Sequence, residues 1–277
     1  MPRPIYAPTP MQEGMLFHSL SHPRGGVSVE QLVIDLTEPI DADGLRDAWE
    51  RTVTRHAALR ARFFWDEAGR SWQEIVPTVS VPWDEYDERS LRAPEQAHSF
   101  ASFLRRDRER GFDLGRAPLL RLTLHRLGAA NYRLTWTFHH ALLDGRSYPA
   151  LLQEVFATYA ETTGVKAAAL AEPADYRDYL GWRASKNYTA AERFWRQTLH
   201  GFKALTSLPY DRLDGPARIQ AVGTQRDQDR RLTATATTTL HAFAHKQADH
   251  GIRVFHVHHG SDFTADLGGK RSSFRAG

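Results

Sequence analysis

The chain of 277 residues has no cysteine. Disulfides, thiolate-bound metals and a cysteine nucleophile are therefore excluded, and the composition fits a cytoplasmic protein. It has no long apolar run. Nothing approaches the roughly 20 residues that a membrane-spanning helix needs, and the proline-rich segment Met1–Pro10 lacks the apolar centre of a signal peptide. It also lacks a dominant charge: Lys and Arg number 36 against 33 Asp and Glu, a net charge of +3. The densest basic run, Arg105-Arg106-Asp107-Arg108-Glu109-Arg110, is interrupted by acids and reads as a solvated helix face. Neither nucleic acid nor a membrane is expected as a partner. There is no internal repeat.

What is there is a succession of short periodic segments. Apolar spacing predicts helices near 10–17, 41–55, 94–109, 148–162, 175–182, 189–199 and 234–248. In the first, Met11, Met15 and Leu16 are expected on one buried face. Asp41 is the expected cap of the second. Alternation predicts strands near 27–36, 59–65, 72–76, 79–86, 118–127 and 132–138, with 59–65 and 72–76 joined as a hairpin. In the last of these, Tyr132, Leu134, Trp136 and Phe138 share a face, and Arg133, Thr135 and Thr137 share the other.

Between that strand and the next helix stands His139-His140-Ala141-Leu142-Leu143-Asp144-Gly145, an HHxxxDG pattern. Adjacent residues of an extended chain face opposite ways, so the two imidazoles have unequal roles. One can be buried in structure while the other reaches a cavity. A histidine near its ordinary pKa of about 6.5 can accept a proton at neutral pH. Asp144 can hold the loop through an imidazole or a guanidinium, and Gly145 leaves room for close approach. The plainer alternative is a pair of structural histidines followed by a helix N-cap aspartate.

The neighbouring motifs add to this. Pro10-Met11-Gln12-Glu13-Gly14-Met15-Leu16-Phe17, Arg55-His56-Ala57-Ala58-Leu59-Arg60-Ala61-Arg62-Phe63, Gly111-Phe112-Asp113-Leu114 with Pro118-Leu119-Leu120-Arg121, and Tyr176-Arg177-Asp178-Tyr179-Leu180-Gly181-Trp182 surround it. Together, over roughly residues 5 to 250, the chain resembles a condensation domain of nonribosomal peptide synthetases. That resemblance implies an α/β fold of two lobes, each like chloramphenicol acetyltransferase with a mixed sheet flanked by helices. The HHxxxDG loop would lie in a channel between them. It implies a reaction in which the amine of a downstream aminoacyl thioester attacks an upstream acyl or peptidyl thioester. The partners would be upstream and downstream peptidyl carrier proteins and an adenylation domain of the same assembly line. No cofactor would be bound directly; the carriers' phosphopantetheine arms would enter the site.

By the same resemblance His140 is the working residue, deprotonating or orienting the amine or stabilising the tetrahedral intermediate. An α-amine has a pKa near about 8 and is partly neutral already, so positioning can supply much of the rate. His139 would be structural, and Gly145 would admit the phosphopantetheine arm. Asp144 would pair with Arg60, or else with Arg62. Tyr179 and Trp182 read as packing.

The expected organisation is a first lobe over 1–165, a connecting segment over 166–186, the start of a second lobe over 187–250, and an aberrant, structureless tail over 251–277. From Gly251 the chain is polar and Gly-rich, with His256, His258 and His259 and no clean period. That change reads as a lost reading frame or a gene fragment, with condensation by the chain alone weak or absent. Three other readings are a stand-alone acyltransferase of the HxxxD type, an epimerising relative, and a non-catalytic remnant that docks a carrier protein. A zinc site built from His241, His245 and the tail histidines is a further class; no acidic pattern accompanies them.

Overall fold

The computed structural model describes residues 5–22, 26–162, 170–203, 232–246, 263–266 and 271–276. The chain divides into two compact units, Met1–Leu180 with His258–Gly277, and Gly181–Val257.

The first unit is α/β. Its larger sheet is mixed and has the strand order β5 (Trp83–Asp87), β6 (Leu120–Arg126), β7 (Tyr132–His139), β2 (Val29–Leu36), β9 (Arg271–Ala276), β8 (Phe263–Asp266). Among the described strands only β5 and β6 run parallel. A three-stranded sheet joins β1 (Ile5–Tyr6), β4 (Ser71–Ile75) and β3 (Ala61–Trp65). The predicted hairpin forms between β3 and β4, pairing Ala61 with Ile75 and Trp65 with Ser71. At its turn Gly69 takes a φ of +75°, a conformation that costs glycine little.

Strand alternation decides which helix covers which face. Leu32, Ile34, Leu122, Leu124, Leu134, Trp136 and Phe138 form one core with α2 (Ala42–Arg55) and α4 (Ser147–Thr162). Trp49 of α2 meets Trp136 edge-on, with ring centroids 4.8 Å apart. The polar-looking alternate residues of β7 are buried too, since Thr135 and Thr137 are at most 1% exposed. They lie under α3 (Ala93–Arg110), where Asp107 accepts hydrogen bonds from Gln31 at 2.7 Å and Thr137 at 2.7 Å and pairs with Arg121. A buried ion pair is tolerable only when its spare hydrogen-bonding capacity is used. Here Arg121 also donates to the carbonyls of Gly111 and Asp107, and its guanidinium lies over the Phe112 ring.

Several expectations are corrected. Met11 is 71% exposed and Gln12 is buried instead, because the helix α1 (Pro10–Ser21) turns its inward stripe along Gln12 and Leu16. Asp41 occupies the cap position of α2, but its side chain makes no cap hydrogen bond. The tail is not structureless throughout: β8 and β9 pair with each other, and β9 adds antiparallel to β2. Strand addition is a backbone interaction and needs no apolar period in the added segment. Residues 166–169, the start of the expected connector, lie outside the described residues, as do the tail histidines.

The second unit contains α6 (Thr189–Thr198) and α7 (Ala234–Lys246); α5 (Tyr176–Ala184) crosses the division. Phe194 and Trp195 are exposed, and no described residue of α5 or α6 is buried. Tyr179 and Trp182 are partly exposed: Tyr179 lies against Tyr176, and Lys186 sits over the Trp182 ring. An aromatic pattern marks a face suited to burial and does not say what covers it. No described helix is long and apolar enough to cross a membrane.

Candidate active site

Strand β7 ends at His139, and His140 opens the turn into α4. His139 is 2% exposed. The Ala141 N–H donates to its Nδ1 at 3.1 Å, so that nitrogen carries no proton. The proton of the neutral ring is therefore on Nε2, 2.9 Å from the Ser19 hydroxyl oxygen, and Ser19 in turn donates to the Met15 carbonyl at 2.9 Å. Burial, reinforced by the neighbouring His140, pushes the His139 pKa down to about 4. At neutral pH His139 is an uncharged structural group in a single tautomer.

His140 is half-buried. Its N–H donates to the Ser28 carbonyl at 2.8 Å. Ser28 has a φ of +66°, the left-handed region that costs a side-chain-bearing residue about 1–2 kcal/mol. That turn directs the Ser28 carbonyl at the loop. The Nδ1 atom of His140 is buried and has no partner among the described residues. Buried polar atoms usually have partners, and this nitrogen is an exception among the described residues.

The resemblance implied a pairing of Asp144 with Arg60, or failing that Arg62, and neither pair forms. Asp144 is exposed, and its Oδ1 accepts from the N–H groups of Arg146 (3.1 Å) and Ser147 (3.0 Å) and the Ser147 hydroxyl (2.8 Å). It lies three residues before α4 and ties down the N–H groups that lead into that helix without occupying the N-cap position. Arg60 donates to the carbonyls of Val53, Thr54 and Val76. Arg62 pairs with Glu74 at 2.5 Å. The unmet carbonyls at the end of α2 attract the Arg60 guanidinium through hydrogen bonding and the helix dipole. Gly145 is exposed, and a Cβ there would meet nothing within 4 Å. Packing within this chain therefore does not demand glycine at that position.

The residues that sequence reasoning missed are on α1. Gln12 donates from Nε2 to the Ala141 carbonyl at 3.0 Å, and Ser19 holds His139. Leu16 packs with Ala141, Phe63, Leu114 and Leu119 beneath the turn. A usable signal was Thr9-Pro10-Met11-Gln12, the spacing of a capping box; Gln12 accepts from Thr9 N–H at 2.8 Å and Thr9 Oγ1 from Gln12 N–H at 3.2 Å. Beside the loop lies a cleft of about 240 Å³ lined by Ser19, Leu20, Val29, Trp65, Phe112 and His139 among others. A larger open depression of about 630 Å³ runs along α6 alone and holds no comparable set. Among the described residues no group of three or more His, Cys, Asp or Glu could hold a metal. His241 and His245 fall on α7.

Comparison with known proteins sets this geometry in context. The family model described as "Condensation domain" matches residues 3–259. A linear gramicidin synthase of Brevibacillus parabrevis is 38% identical over 242 residues, covering 87% of this chain and 5% of that protein. The chain thus spans a small part of the curated relatives that it matches. The starter condensation domain of rhizomide synthetase RzmA aligns with a TM-score of 0.63 at 17% identity, over 72% of this chain and 49% of that one. The first condensation domain of the calcium-dependent antibiotic synthetase, solved with a substrate analogue, aligns with a TM-score of 0.60 at 24% identity, over 72% and 48%. These likenesses show a shared fold.

Proposed function

The chain belongs to the condensation domains of nonribosomal peptide synthetases, and from that membership we propose that its HHxxxDG loop is the centre of amide-bond formation between carrier-bound thioesters. The nucleophile is the amine of the downstream aminoacyl group; the electrophile is the upstream acyl or peptidyl thioester. Attack forms a tetrahedral intermediate, which collapses with loss of the upstream thiolate. The amine's proton leaves through His140, and the single observation that carries this reading is its partly exposed position at the turn after β7, beside a buried His139 whose two ring nitrogens are already engaged. His139 stays neutral and structural. Asp144 shapes the start of α4, and Gly145, with open space around it, leaves a path for a phosphopantetheine arm. Peptidyl carrier proteins are the partners, with the adenylation domain of the same assembly line loading the downstream one. Because the chain spans about half the length of the solved domains that it matches, turnover by the chain alone is proposed to be weak.

The test supplies an acyl thioester on one carrier protein and an aminoacyl thioester on a second, and follows amide product by mass spectrometry. Slow product formation abolished by His140→Ala supports the proposal. Equal use of a coenzyme A thioester points to a stand-alone acyltransferase. Carrier binding without product, unchanged by His140→Ala, leaves a docking module. Turnover typical of a complete domain overturns the claim of weakness.

A further inference from the structure

We infer that α1 is the splint of the catalytic turn and that Gln12 and Ser19 are positioning residues for His140; this rests on the reading of His140 above. Three contacts carry the inference. Gln12, Leu16 and Ser19 are spaced four and three residues apart and so share one face of α1. The first bonds the Ala141 carbonyl at 3.0 Å, the second packs with Ala141, and the third bonds His139 Nε2 at 2.9 Å. His140 lies between the two residues so held. Its own N–H is held by Ser28 at 2.8 Å. With both neighbours and its own amide anchored, the path of the His140 backbone is determined from outside the loop.

Gln12 has two separable duties. Its Oε1 accepts from Thr9 N–H and completes the cap of α1, while its Nε2 donates to Ala141. Tyr176 adds a longer contact to the same Oε1, at 3.5 Å. A carboxylate can perform the first duty and not the second, because it has no proton to donate. Gln12→Glu therefore keeps the cap and cuts the splint, whereas Gln12→Ala removes both. Ser19→Ala removes the acceptor that holds His139 Nε2–H.

The experiment measures thermal stability, amide hydrogen exchange at His140 and Ala141, nitrogen-15 signals of the His139 ring, and kcat and KM in the carrier-protein assay. Gln12→Glu keeps the Thr9 cap acceptor but sets a buried carboxylate oxygen against the Ala141 carbonyl, so Tm is expected to fall. The variant should speed exchange at Ala141 at least tenfold and lower kcat by about tenfold or more with little change in KM, as expected when a reacting group is misplaced. Gln12→Ala should show the same local effects and lower Tm by about 2–4 °C through the lost cap. Ser19→Ala should leave the tautomer set by the Ala141 N–H but shift the His139 Nε2 signal and speed exchange at His140 and Ala141. Exchange and kcat unchanged in Gln12→Glu would reduce Gln12 to a helix cap and overturn the inference. If Gln12→Glu is grossly unstable, Ser19→Ala decides: an unchanged Nε2 signal with unchanged exchange at His140 and Ala141 overturns it. Exchange and ring signals need no substrate, so a chain that forms no amide defeats the functional reading and leaves the splint decided on its own data.

Discussion

At the scale of single residues, the two histidines differ in what surrounds them. His139 is buried with its nitrogens committed, and its pKa falls to about 4; His140 is half-buried with Nδ1 uncommitted. The depressed value has a consequence for stability. The unfolded chain takes up a proton at His139 near pH 6.5 and the folded chain does not until about 4. Stability contributed by the neutral ring is thus whole above pH 6.5 and falls as the pH drops toward 4. His125, also pushed down by burial despite Glu88 beside it, acts in the same direction. We expect urea denaturation to give a chain roughly 2 kcal/mol less stable at pH 5 than at pH 7 on account of His139, with most of this difference absent in His139→Gln. A flat profile in the unaltered chain would contradict the buried neutral ring. The unequal roles of the histidines were legible, because alternation is a property of neighbouring residues. The Asp144–Arg60 pair was not, because a guanidinium goes to whichever acceptors the fold places nearest, and at the end of α2 those are backbone carbonyls.

At the scale of elements, two helix ends adjoin the site's supports. Arg60 satisfies the last carbonyls of α2, and Asp144 the first N–H groups of α4. Each is local and neither shares a partner with the other. Arg60→Met is expected to cost about 1–2 kcal/mol, and Asp144→Ala about 0.5–2 kcal/mol. In the double mutant these losses should add to within about 0.5 kcal/mol. A coupling above that, measured by chemical denaturation, would restore the ion pair that the resemblance implied. Helix positions were readable because apolar spacing reports them. Which face turns inward was less so: Met15 and Leu16 pack inward as expected, but Met11 turns out and Gln12 takes its place once the loop offers Gln12 a carbonyl.

At the scale of the whole molecule, the larger sheet carries the site at the end of β7 and has β2 between β7 and β9. The added strand covers the backbone groups on that side of β2. An uncovered strand edge is a template for pairing with another chain. Removing residues 258–277 should therefore produce concentration-dependent association, seen by light scattering, while the near-ultraviolet signal of the Trp49–Trp136 core persists. A chain that stays monomeric without those residues would show that β9 does not protect this edge. Nothing in the composition of that segment announced a strand, since edge pairing draws on backbone groups that every residue but proline carries.

Sequence by itself determined most elements from α1 to α4, the apolar face of β7 and the position of the central loop, because periodicity and motif spacing are local quantities. Tertiary structure alone decided what holds the loop: Gln12 reaches Ala141 across 129 positions and Ser19 reaches His139 across 120. Such contacts depend on how helix and strand meet in space. Hydrogen bonds act over about 3 Å, and no pattern along the chain encodes which distant groups come within that reach.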